Sequence, residues 1–236
     1  MAVTYMQAAD AAIVLNYGES NQAVVKGLNK LSLPGAVREV ITVDEFRNEF
    51  ARQFTAAGKY NDITFGGQYT VGDTNGQDSL RDGWLTRKKY VGTELMCFLN
   101  QTDFFTTDLA NDPESGLQVA EVSSGEADKN GIFSLMGKLV PNGRLAIYSA
   151  HLTEDATPTT AFVTAGGTKI TDSSNRLVTS GFKAGMTLLI TGSTTNDGVA
   201  ALIGTVTAGE MTLTVKVGTL TAEAAIENME LHGGRF

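Results

Sequence analysis

The segment from Gly131 to Leu152, GIFSLMGKLVPNGRLAIYSAHL, constrains the fold most: two runs of alternating apolar and polar residues, interrupted by Pro141-Asn142-Gly143. A period of two sends successive side chains to opposite faces of a strand, so each run must lay one face on a core. Asn-Gly tolerates the positive φ of a tight turn, and the pair predicts a hairpin between 131–140 and 144–152. Similar runs at 36–43, 61–71, 94–100 and 116–124 are bounded by Gly, Asn or Asp and also read as strands. With 26 Gly and only 4 Pro in 236 residues, the chain reads as mainly β.

One helix is expected. Thr74-Asn75-Gly76-Gln77 fits a capping box, Leu80, Trp84 and Leu85 share a face, and Arg87, Lys88 and Lys89 follow at the C-terminal end, where the helix dipole favours cations. Residues 44–60, DEFRNEFARQFTAAGKY, carry Phe46, Phe50 and Phe54 at spacing four, which suits either a helical face or one side of an extended strand; a strand with a long hairpin arm is the favoured reading.

Composition changes near residue 156. Only Phe162, Phe182 and Phe236 of the aromatic residues lie beyond it, and charge falls from 13 basic and 20 acidic side chains in 1–155 to 5 and 6 in 156–236. Two domains are expected, 1–155 and 156–236, joined through the polar stretch TEDATPTT at 153–160. Short strands are predicted at 162–163, 169–171, 175–178, 186–191, 200–206 and 211–217, a rhythm that suits a small β-sandwich or barrel.

The net charge of −8 argues against a surface that grips nucleic acid, because such binding neutralises phosphates with clustered Lys and Arg. No apolar run is long enough for a helical membrane span and no basic stretch precedes the first apolar run, so a soluble chain without a signal peptide is expected. Phosphate loops, nucleophile elbows and zinc-protease pairs are absent from the sequence. His151 and His232 are the only histidines and read as ordinary surface residues. Cys97, in the apolar string ELMCFL, reads as a buried thiol.

Asp73, Asn75 and Gln77 alternate like the start of a calcium loop, but Trp84 stands where the distal Glu belongs, and helix capping explains the carboxylate equally well. Asp103, Asp108, Asp112 and Glu114 read as a solvated acidic loop in preference to a metal site. The expectation is therefore no catalytic residue, no cofactor and no metal.

The stretches ITVDEF (41–46), DITFGGQYTVGDTNGQDSL (62–80), FLNQTDFFTTDLANDPESGLQVAEVSSGEADKNGIFSL (98–135) and NGRLAIYSAH (142–151) resemble the major tail tube proteins of long-tailed bacteriophages. The resemblance covers about the first 155 residues. It implies a β-sandwich or barrel flanked by one helix, in homo-hexameric rings that stack into a tube through which DNA passes unbound. The implied location is the virion tail, assembled in the host cytoplasm. The implied partners are the tape measure, tail terminator and distal tail proteins. The segment Arg47–Tyr60 would correspond to the loop that reaches the next ring, with Arg47, Phe50, Arg52, Phe54 and Tyr60 as contact residues. Residues 156–236 depart from that pattern and resemble small β-domains appended to virion proteins. A virion surface or carbohydrate-binding β-module, or the tube of a contractile injection device, are the competing readings.

Overall fold

Leu135, Gly137 and Leu139 are buried while Ser134, Met136 and Lys138 between them are not, and this alternation makes their segment a strand with one dry face. The structure, a computed structural model, describes residues 11–43, 52–127, 132–163 and 168–235, with the backbone alone at 39–43, 52–57, 126–127 and 163. The chain runs through β1 (Ala12–Leu15), β2 (Ala23–Val24), β3 (Leu28–Leu31), β4 (Ala36–Val43), β5 (Arg52–Tyr60), β6 (Ile63–Gln68) and α1 (Gln77–Thr86). It continues through β7 (Lys89–Tyr90), β8 (Leu95–Phe98), β9 (Phe104–Thr107), β10 (Gly116–Ala127), β11 (Phe133–Asn142) and β12 (Leu145–Thr153). The rest holds β13 (Thr160–Val163), β14 (Lys169–Asp172), β15 (Thr187–Thr191), β16 (Ala200–Val206), β17 (Glu210–Val217), β18 (Glu223–Ala224) and β19 (Glu230–Arg235).

Among the described residues, β3, β6, β11, β10 and β7 make a five-stranded sheet. A second sheet of twelve strands starts at β2, β1, β8, β9 and β12 and runs on through β19, β15, β16, β17, β14 and β13 to β18. Neither closes into a barrel, and the fold is mainly β with one α-helix among the described residues. The first half is a β-sandwich: Ile13, Leu95 and Phe105 of the long sheet meet Phe65, Leu117 and Leu139 of the short one, with Leu80 of α1 packed among them. Full burial of each such side chain contributes about 1.5–3 kcal/mol.

The Asn142-Gly143 turn is a corner, not the predicted hairpin. Strand β11 pairs with β10 and β6, whereas β12 pairs with β9 and β19, so the chain changes sheets at the turn. Gly143 does take a positive φ of 97°. Asp112 then accepts the Arg144 N–H at 3.1 Å, while Asp108 N–H donates to the Arg144 carbonyl at 2.9 Å. Leu139 and Leu145 thereby enter one core from its two walls, which covers both alternating runs at once.

The expected capping box also gives way to another arrangement. Gln77 N–H donates to Asp73 Oδ2 at 2.9 Å, and the Gln77 side chain turns away to bond the backbone of Lys26, Gln68 and Thr70. On α1 the buried positions are Gln77, Leu80 and Gly83, with Trp84 and Leu85 46% and 64% exposed, so the apolar face is narrower than predicted.

In the last third, Phe162, Ile170, Leu188, Ile203, Met211 and Leu231 from six strands share one core, together with Ala150 and Leu152 of β12. Residues 175–178, predicted as a strand, form a turn in which Asn175 has φ 59°. The Gly-rich end of the chain, not foreseen as a strand, is β19. It lies between β12 and β15 and joins the sandwich to the C-terminal strands. Its glycines fit that place: a Cβ on Gly234 would press on the Tyr148 ring at 2.8 Å, and one on Gly233 on the Phe182 ring at 2.8 Å. The stretch 153–160 is anchored as well. Glu154 accepts an ion-paired bond from Arg176 at 2.8 Å, and the Thr159 hydroxyl accepts from the same guanidinium at 2.6 Å.

Candidate assembly surface

Strands β4 and β5 belong to neither large sheet. They pair with each other from Ala36↔Tyr60 to Val43↔Arg52, with a register shift after Arg38, and form a separate two-stranded arm. At its root Asn61 N–H donates to the Gly35 carbonyl at 2.7 Å, Pro34 is buried, and Tyr60 packs against the sandwich core. Of the five contact residues implied by resemblance, Arg47 and Phe50 lie outside the described residues. Arg52 and Phe54 sit on β5 opposite Val43 and Ile41. Tyr60 anchors the arm to its own sandwich.

A second exposed surface is the outer face of the five-stranded sheet. Thr64, Gly66, Ser134, Met136 and Lys138 line a shallow groove of about 780 Å³, with Glu121 at its side. Met136 is about half exposed there. Strand β10 pairs with β7 only at Leu117 and Gln118, so among the described residues one edge from Val119 onward has no strand beside it. The Trp84 indole N–H reaches that edge and donates to the Ala120 carbonyl at 3.1 Å.

The acidic residues weighed as metal ligands are each engaged by nearby chain. Asp73 Oδ2 accepts the Lys26 and Gln77 N–H groups, and Asp108 accepts from Asn111 at 2.7 Å. Asp112 holds the corner at Arg144, while Glu114 is exposed beside Lys89 at 3.8 Å. Among the described residues no group of three or more His, Cys, Asp or Glu could hold a metal ion. Burial pushes the Cys97 thiol up, so it stays protonated inside the sandwich.

The two histidines are not the surface residues expected. His151 and His232 are directly opposed across β12 and β19, with their Nδ1 atoms 3.1 Å apart. His232 is only 4% exposed. Asp103 lies 3.3 Å from His151 Nε2, Thr191 Oγ1 lies 2.9 Å from His232 Nε2, and Glu230 lies 3.3 Å from the same nitrogen. Their 81-residue separation hid this pairing, which becomes visible only once β19 is recognised as a strand.

No protein-family model matches the chain, and no curated protein does. Several solved structures are similar at low identity, and three of them follow. One is the tail of an empty gene transfer agent particle with C6 symmetry (15% identity, TM-score 0.41, 58% of this chain and 93% of that one). Another is the virion of a native gene transfer agent particle (14%, 0.41, 58% and 95%). The third is the six-fold symmetrised baseplate of the anti-feeding prophage (11%, 0.42, 61% and 97%). At such scores the likeness assigns neither family nor role.

Proposed function

We propose that this chain is a structural subunit of a phage-type tail tube, assembling with copies of itself into stacked six-fold rings. The observation that carries the reading is the β4–β5 arm. An isolated two-stranded hairpin is at best marginally stable in water, so an arm outside both sheets needs a surface to lie on. The sequence resemblance makes that surface the next ring. In this reading residues 1–155 build the tube and 156–236 face outward. Arg47, Phe50, Arg52 and Phe54 carry the ring-to-ring contact, and Tyr60 holds the arm's root. The acidic balance suits a conduit past which a polyanion slides, since it offers phosphates few cationic footholds. The role needs no catalytic residue or cofactor.

A carbohydrate-binding role for the C-terminal unit has less support. Phe162 and Phe182, the aromatics described beyond residue 156, are both in the core and present no ring to a sugar. The test is sedimentation velocity of the wild type and of Phe50→Asp with Phe54→Asp. The wild type should form large assemblies, and the double variant should stay small with unchanged circular dichroism. Assemblies of undiminished size from the folded double variant would remove the arm from the interface.

A further inference from the structure

The histidine pair joins the two halves of the molecule. His151 belongs to β12 of the sandwich, His232 to the C-terminal strand β19, and β19 is in turn bonded to β15. The groups facing the pair are Asp103 from the β8–β9 turn, the Tyr148 backbone from β12, which bonds the His151 ring, Glu230 from β19, Thr191 from β15, and Tyr17 after β1, whose hydroxyl donates to Glu230 at 2.7 Å. Phe104 lies edge-on to His232, with ring centroids 5.0 Å apart, and helps close the site.

Hydrogen-bond polarity limits the protons this row can hold. The Asp103 carboxylate can only accept, so His151 Nε2 carries a hydrogen. In a neutral pair the His151 Nδ1 is then a lone pair, and the 3.1 Å contact requires the hydrogen on His232 Nδ1. His232 Nε2 is left bare, bonded by the Thr191 hydroxyl but facing the Glu230 carboxylate with no proton between. One proton added at that nitrogen lets it donate to Glu230, while the Thr191 hydroxyl turns to accept, and nothing has to move. A second proton can enter only at His151 Nδ1. It sets N–H against N–H at 3.1 Å and two like charges on rings whose centroids are 5.4 Å apart.

We propose that His151 and His232 form a proton-operated clasp, which holds β19 to β12 with no proton or one proton added and opens when the second is taken up. Burial, and then the charge of His232, hold the His151 imidazole below the ordinary histidine range. A depressed value means that the opened form binds more protons. The clasp's contribution is therefore complete above about pH 6.5 and is lost as pH falls below it. What loosens in acid is the β12–β19 seam, where the sandwich meets the C-terminal strands.

The proposal does not depend on the assembly reading. Deuterium exchange at the two imidazole C2 carbons, read by mass spectrometry on the full chain, follows each histidine whether the chain is free or assembled. The His151 signal is expected to titrate below the ordinary histidine range. Backbone exchange in β19, corrected for intrinsic rates, should rise at least tenfold between pH 7.5 and pH 5. His151→Gln, which cannot take the second proton, should abolish that rise. The proposal is overturned if His151 titrates at or above the ordinary histidine range, if β19 is equally protected at both pH values, or if His151→Gln keeps the wild-type rise. Should His151→Gln fail to fold, the wild-type titration and exchange decide alone.

Discussion

Replacing Arg176 by Ala tests how the chain is stapled where it leaves the sandwich. The guanidinium lies 2.8 Å from Glu154 and 3.2 Å from Asp172, both with fully buried side chains, while Arg176 itself is 29% exposed. Removing one partner of a buried ion pair typically costs about 3–5 kcal/mol because the other charge stays behind unpaired. Two features reduce that here. Water reaches the arginine, and each acid keeps other donors: Thr159 N–H for Glu154, and Ser174 N–H, Arg176 N–H and the Thr159 hydroxyl for Asp172. A loss of about 2–4 kcal/mol is expected. Urea unfolding at pH 7 measures it as a lower midpoint, and Arg176→Lys should recover only part, because a lysine cannot span both acids with a planar fork. The pH dependence gives an independent check. Burial alone would raise the Asp172 carboxyl, but the hydrogen bonds from Arg176 and Thr159 outweigh it and hold it at about 2. Its stabilisation is present above about pH 3.8 and disappears as pH falls through about 2, so the gap between wild type and variant should narrow over that window. A loss below 1 kcal/mol at pH 7 would show that the acids are solvated and the staple is ornamental.

Two other outcomes follow from the packing. Cys97, fully buried among Ile13, Leu95 and Phe105, should resist maleimide labelling in buffer and react within the dead time in denaturant; rapid native labelling would place it outside the core. Gly137→Ala puts a methyl group on the Phe65 ring that lies across the neighbouring strand, and overpacking of that kind costs about 1–3 kcal/mol; an unchanged melting temperature would mean that the two strands are less tightly apposed.

The strands of the first half are legible because alternation is a local signal: 36–43, 133–140 and 145–152 read correctly as strands from their own residues. What alternation cannot say is which strand lies alongside. Asn142-Gly143 supports a hairpin or a corner equally well, and the choice was made by Asp108, Asp112 and the need to face Leu139 and Leu145 toward one another. Strand β19 gives a weak local signal for a related reason. Glycines weaken a local strand signal, yet Gly233 and Gly234 are required by the Phe182 and Tyr148 rings, which arrive from elsewhere in the chain. Without that strand nothing local in the sequence brings His232 beside His151, and each reads as a surface residue. Of the segment 44–60, residues 52–60 lie on strand β5 and 44–51 lie outside the described residues; the phenylalanine spacing suits a strand and a helix equally.

The most direct test of the assembly reading is negative-stain electron microscopy of the purified full chain, held at high concentration near neutral pH. Hollow tubes or six-fold rings are the expected images. Only isolated particles of single-subunit size, at every concentration and after prolonged incubation, would contradict self-assembly as the role of this chain.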